Sequence, residues 1–323
     1  MKKNIYKISF FIIYSVALLC IHSIVFAGNR SGTVAEQFLK IPTDARVVGM
    51  GGANVAIAEG VSSLTYNPSG LLSVTGMSFS ATYTPWFASI QHSFLGAALN
   101  LNDIGVIGFG VTALSTDDMN VTTVAFPEGT GEVFRAADYA FHFAYARPIS
   151  DQFTVGLGGK YIYSSLYNNI VTASSFAFDV GTLYDMPEIR TRLGVSLTNL
   201  GGDVQFLKEP YSLPTALRFG AAVTLLQQGE TKLLSTLQVA RPNDANEQYN
   251  VGVEYSFNDM FSLRGGYRFV YEKTDFGAGA PGEYAAGFGI NLLPAGFNGK
   301  LNYGYNSFHV LPGTHTVTLE FSF

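Results

Sequence analysis

The sequence predicts a closed antiparallel β-barrel seated in an outer membrane. Three observations carry this reading: an export signal at the N-terminus, a strand-like alternation of apolar and polar residues from Met77 onward, and a shortage of charge. The 323 residues include 35 Gly, 18 Tyr and 26 Phe, and only 13% are charged, about half the usual share for a soluble domain. Beyond Ile21 no stretch approaches the roughly 18–20 consecutive apolar residues of a spanning helix. In lipid, the remaining way to pair every backbone N–H and C=O is a barrel that leaves no free edge.

The first element is a signal peptide over residues 1–27. Lys2, Lys3 and Lys7 precede an apolar run from Ile8 to Ile21, and Val25-Phe26-Ala27 forms an A-x-A-like cleavage site before Gly28. The single cysteine, Cys20, follows Leu18 and Leu19 rather than the small residue of a lipid-anchoring signal, so it is read as part of the discarded segment. Removal takes three lysines from a chain with 19 basic and 24 acidic residues. The mature protein is therefore acidic, free of cysteine and without a basic tract, which argues against nucleic acid as a partner.

Residues 28–75 lack sustained alternation and are rich in small residues, so they are expected to form a plug or hatch within the lumen. Thr33 to Leu39 reads as helical, with Thr33 as cap and Glu36 three residues later. Gly49, Met50, Gly51 and Gly52, then Asn67, Pro68 and Gly70, read as turns and close backbone packing. A dinucleotide site at Gly49 is excluded because Asn54 stands at the third glycine position and no βαβ unit follows.

Residues 76–323 are the barrel, with about fourteen alternating segments. Val317, Leu319, Phe321 and Phe323 oppose Thr316, Thr318, Glu320 and Ser322. Val251, Val253, Tyr255 and Phe257 oppose Asn250, Gly252, Glu254 and Ser256. Leu217, Phe219 and Ala221 oppose Arg218 and Gly220. Short links, such as Ser150 to Gln152 and Asn258 to Met260, alternate with longer ones, such as Thr116 to Ala137, Gly201 to Leu213 and Tyr271 to Gly282. That is the asymmetry of periplasmic turns and outer loops; the short link around Trp86 to Ala88 fits it least.

The alternation turns Lys160, Asp179, Arg218, Glu254, Arg264, Arg268 and Glu320 into the lumen. A tight turn at Asn258-Asp259 sets Glu254 opposite Arg264, and Lys160 and Asp179 become neighbours across the Leu166 to Ser174 loop. Such charges serve either as a polar path or as a salt ladder stiffening the wall. Phe206 and Tyr211 are candidate ligand or partner contacts in an outer loop. The residues offer no catalytic constellation: GxSxG and HxxxH are missing, and His142, between Phe141 and Phe143, has no identifiable serine partner. Asp117-Asp118 lacks the EF-hand spacing. No enzyme, metal or cofactor is expected.

Several stretches resemble the PorV/PorQ family, itself similar to FadL-type fatty-acid channels. They are Gly32-Thr33 to Phe38-Leu39-Lys40, Ala45 to Ala53, Tyr66-Asn67-Pro68-Ser69-Gly70-Leu71, Thr198-Asn199-Leu200-Gly201-Gly202, Leu213-Pro214-Thr215 to Gly220, Leu263-Arg264-Gly265-Gly266-Tyr267, and Tyr305 to Phe308 with Thr314-His315. The family usually has alanine where Ser69 stands. The resemblance implies a fourteen-stranded barrel and two candidate tasks. One is a non-enzymatic component of type IX secretion that handles cargo bearing a C-terminal signal, with secretion proteins and cargo as partners. The other is a channel for uptake of hydrophobic small molecules. Outer-membrane lipid is a partner under either.

Overall fold

A computed structural model describes residues 33–270, 282–293, 298–308 and 311–323. The expected signal peptide and most of the 271–282 loop lie outside these residues. Strands follow in the order β1 (Met77–Pro85), β2 (Gln91–Asn100), β3 (Val106–Ser115), β4 (Met119–Asn120), β5 (Val133–Phe134), β6 (Ala137–Pro148), β7 (Phe153–Ser165), β8 (Thr172–Met186) and β9 (Thr191–Gly201). They continue with β10 (Val204–Gln205), β11 (Pro210–Tyr211), β12 (Ala216–Gln228), β13 (Thr231–Pro242), β14 (Gln248–Phe257), β15 (Phe261–Val270), β16 (Glu283–Asn291), β17 (Gly299–Asn306) and β18 (Thr314–Ser322).

Fourteen of these close one antiparallel barrel, in which each strand pairs with its nearest barrel neighbours in sequence and β1 pairs with β18. Phe79 faces Phe321 and Thr82 faces Thr318 across that closure. The short pairs β4–β5 and β10–β11 are hairpins inside two of the long loops, a detail the period-two pattern did not signal.

Side chains alternate as the pleat requires. On β18, Val317, Leu319 and Phe321 are exposed outward while Thr316 and Thr318 are buried inward. On β6, Phe141 and Phe143 face outward and His142 is buried, donating to or accepting from Thr112 Oγ1 at 2.9 Å through Nε2. The bulge near Thr224 in β12 breaks this rhythm, leaving Leu225 and Leu226 both exposed.

All but one of the tightest turns lie at one end and are stitched together around the rim. Asp185 N donates to Gln152 O, Thr224 N to Arg190 O, Asn258 N to Glu230 O, and Asn291 N to Met260 O. The same rim holds the barrel's two chain ends, because Met77 N donates to Phe323 O at 3.0 Å. The Trp86 connection is short yet stands at the opposite, outer end, where Trp86 N closes the turn on Ile90 O at 2.8 Å. Ala88 and Ser89 take positive φ there, at 53° and 59°.

The N-terminal segment runs through the lumen from the outer end toward that rim. Its Val34 forms a parallel bridge with Ser212 in the outer loop carrying β10–β11. The helical turn in this region is Gln37–Lys40, shorter than expected, and Glu36 rather than Thr33 stands at its N-cap, with φ 54° and no side-chain capping bond. Val34 is bridged to Ser212 and Ala35 N donates to Ser212 O at 3.1 Å, so no helix begins at Thr33. A short helix, α1 (Ala45–Gly49), is capped by Asp44, whose side chain accepts from Arg46 N at 2.8 Å.

Candidate functional site

The wall and the inserted segment meet with almost no side chain between them on one side of the lumen. Met50 turns into Gly51 and Gly52, which adopt φ 65° and 78°, the left-handed region that glycine enters without steric cost. This turn lies flat on β15: a Cβ added at Gly266 would sit 2.6 Å from Gly51 Cα. Wall amides receive the turn's polar groups. Gln238 Oε1 accepts from Asn54 N and Val55 N at 3.0 and 2.9 Å, while its Nε2 donates to Gly52 O. Asn250 Nδ2 donates to Gly51 O at 2.6 Å.

The second motif behaves likewise. Asn67 caps the short helical stretch Pro68–Ser73, accepting from Ser69 N, and its Nδ2 donates to Val55 O at 2.8 Å and to Thr182 O of the wall at 3.3 Å. A Cβ at Gly156 would fall 2.7 Å from Ser69 Cα. Gly49, Gly51, Gly52 and Asn67-Pro68 thus lie against the wall, whereas Gly70 packs on Ala58 within the segment itself.

Charged residues form two buried clusters. In the first, Arg264 Nε meets Glu254 Oε2 at 2.6 Å, as the register Glu254↔Arg264 requires. Arg46 of α1 binds the same carboxylate through Nε and Nη2, each at 2.9 Å. Its Nη1 reaches Glu59 at 2.9 Å, and Glu59 in turn meets Arg192 at 3.4 Å. Glu254 therefore joins the segment to the wall between two guanidinium groups. The sequence placed Glu254 and Arg264 together, but Arg46 drew notice only as part of a family motif.

In the second cluster, Lys160 Nζ lies 2.9 Å from Asp179 Oδ2, with both side chains 2% exposed. Asn199, at φ 60°, forms a bulge where β8 and β9 slip register. Its backbone N donates to Asp179 Oδ1 at 2.7 Å, its Oδ1 accepts from Lys160 at 2.6 Å, and its Nδ2 donates to Pro214 O. The Thr198 to Gly202 motif is therefore a bulge that completes a buried ion pair. Replacing Lys160 with Met strands the Asp179 carboxylate and is expected to cost about 3–5 kcal/mol, whereas the double variant Lys160→Met/Asp179→Leu should recover much of it. The temperature at which the compact form is lost on unboiled gels measures both; equal loss in the single and double variants would refute the account.

The other predicted lumen charges are more dispersed. Arg218 donates to Thr198 Oγ1 at 2.7 Å, Arg268 pairs with Glu283 at 3.0 Å, and Glu320 stands half-buried opposite Lys300 near the periplasmic rim.

At the outer end a cavity of about 580 Å³ opens among the loops and above the inserted segment. Its apolar lining includes Phe38, Ile41, Trp86, Leu114, Phe206 and Phe308, and its polar lining includes Glu36, Lys40, Asp138 and Arg268. Phe206 thus joins the cavity, while Tyr211 is exposed on the loop and stands outside that lining. Burial pushes the Glu36 carboxyl up to about 7, opposed by the hydrogen bond from Ser164 and aided by Asp138. Glu36 had been noticed only as a capping partner; no local pattern marks a residue whose environment is made by strands more than a hundred positions away. Among the described residues no group of three or more His, Cys, Asp or Glu is disposed to hold a metal ion.

An apolar outward face, a polar lumen filled by the N-terminal segment, and short turns at the end that holds both barrel termini define an outer-membrane β-barrel protein. The chain is similar in fold to the Ralstonia pickettii toluene transporter TbuX, with 14% identity, TM-score 0.58, and coverage of 87% of this chain and 99% of that one. It is also similar to the Pseudomonas putida toluene transporter TodX, at 12% identity and TM-score 0.60, over 87% and 98% of the two chains. A Pseudomonas aeruginosa FadL homologue aligns at 9% identity and TM-score 0.55, over 87% and 98%. No curated protein matches. The chain belongs to the PorV family, since the model described as type IX secretion system protein PorV matches residues 26–244.

Proposed function

We propose that this barrel is a non-enzymatic component of the type IX secretion system that receives secreted cargo at its outer face. Membership of the PorV family across residues 26–244 carries the reading. The geometry supports handling at the surface rather than passage through the lumen, because the inserted segment is packed backbone to backbone against the wall. The loop hairpins β4–β5 and β10–β11 offer exposed Val124, Phe126, Leu207 and Tyr211 to a partner. Deleting the gene should retain signal-bearing cargo that is otherwise displayed, measured by surface proteomics of intact cells. Unchanged display of every cargo would overturn the proposal.

A second reading, a channel for hydrophobic small molecules, is favoured by the outer cavity with its aromatic lining. Protein extracted from its native membrane would then carry a bound apolar compound in stoichiometric amount, identified by mass spectrometry.

A further inference from the structure

The inserted segment is held in two different ways along its length. From Thr43 inward its backbone is fixed: Thr82 Oγ1 donates to Thr43 O at 2.8 Å, Ala45 N donates to Thr318 Oγ1 at 2.9 Å, and the turn at Gly51 lies flat on β15. Residues 36–42 form one wall of the outer cavity and, among the described residues, reach the barrel through side chains. Phe38 packs with Ile162, Val204 and Leu213. Gln37 Nε2 and Lys40 Nζ both donate to Asp244 Oδ2, at 3.1 and 2.8 Å, and Ser164 donates to Glu36 Oε2 at 2.7 Å.

The two carboxyl groups in these ties are unlike. Burial works against an ionised Asp244, but the hydrogen bonds from Lys40 and Gln37 outweigh it and hold the group below the ordinary carboxylate range. Glu36 is 8% exposed, receives one hydroxyl, and sits on a left-handed backbone, φ 54° and ψ 42°, that a side chain enters at some cost. The cations around it are engaged elsewhere: Lys40 with Asp244, Lys160 deeper on β7 with Asp179, and Arg268 across the cavity with Glu283. Asp138 of β6 stands directly opposite Ser164 in the register. An ionised Glu36 is therefore buried with a single donor and near a second acid, whereas the protonated form carries no charge and brings a donor of its own.

We infer that residues 34–42 are a pH-sensitive lid on the outer cavity, docked while Glu36 is protonated and loosened once it ionises, with the segment from Thr43 inward staying in place. Burial sets the docked carboxyl at about 7 against an ordinary 4.5. A pKa raised in the docked state makes docking strongest below about pH 4.5 and weakens it as pH rises to about 7. Between about pH 5 and about pH 8 the docking constant falls on the order of 50–100-fold. The Asp244 tie is constant over that range, because its carboxyl is ionised throughout.

Amide hydrogen exchange of the full chain in lipid nanodiscs, normalised to the intrinsic rate at each pH, reads both parts of the segment at once. In the lid, Ala35 N donates to Ser212 O, Leu39 N to Glu36 O and Ile41 N to Phe38 O, while deeper in the lumen Met50 N donates to Arg46 O and Gly51 N to Val48 O. Protection at Ala35, Leu39 and Ile41 is expected to fall on the order of 50–100-fold from about pH 5 to about pH 8, with Met50 and Gly51 unchanged. Glu36→Gln keeps a neutral side chain and should hold the lid at its acid-side protection throughout. Ser164→Ala removes the donor to the ionised carboxylate and should carry the loss to higher pH. Equal protection of the wild-type lid at both pH values overturns the inference, as does a pH response that persists in Glu36→Gln or one that Met50 shares in full.

Discussion

Replacing Glu254 with alanine should destabilise this barrel by about 3–5 kcal/mol. The carboxylate is held by two guanidinium groups, Arg264 of the neighbouring strand and Arg46 of the inserted segment. Its removal leaves the buried Arg264 with the neutral Asn302 as acceptor and leaves Arg46 with the part-exposed Glu59. Breaking a buried pair is costly because the surviving charge keeps its desolvation penalty and loses its compensation. Arg46→Ala should be milder, since Glu254 then retains Arg264, and Arg264 still donates to Asn302 Oδ1 at 2.9 Å. Unfolding in urea and limited proteolysis of residues 33–74 measure the two variants side by side. If Arg46→Ala proves as damaging as Glu254→Ala, the carboxylate is not the common anchor and the account fails.

Gly266→Val should release the inserted segment while leaving the barrel closed. A β-carbon at Gly266 would overlap the backbone of Met50 and Gly51, and a peptide backbone held by Gln238 and Asn250 has little room to give. Overpacking of this kind costs about 1–3 kcal/mol or more. Valine is favourable to the strand itself, so the cost falls on the contact rather than on the ladder. Gly265→Val is the matched control, because a Cβ at Gly265 meets nothing within 4 Å. In planar bilayers Gly266→Val should conduct ions where the wild type and Gly265→Val do not. Equal conductance in the two variants would show that the close approach is not what holds the segment in place.

Much of this architecture was legible in the sequence because it depends on a local rule. Period-two alternation located fourteen barrel strands, and the segments Met77–Pro85 and Gln248–Phe257 coincide with β1 and β14. Once the short turn at Asn258-Asp259 is recognised, register follows by counting, so the pairing of Glu254 with Arg264 was legible too. The Lys160–Asp179 contact was read in the same way across one hairpin. The loop hairpins β4–β5 and β10–β11 were missed because two-residue strands carry no periodicity. The start of the first helical turn was misplaced because Val34 docks on Ser212, a contact that no local capping pattern reports.

Alternation by itself, then, determined the barrel, its facing and its nearest-neighbour charge pairs, since these require only the pleat and the turn lengths. Only the tertiary structure decided what meets across the lumen. Arg46 reaches Glu254 over a separation of 208 residues, and Glu36 reaches Ser164 over 128. Contacts of that kind depend on how deeply the N-terminal segment enters and how it rotates against a closed wall. Those are set by the summed fit of glycine-lined backbone and paired charges, which no window of the sequence contains.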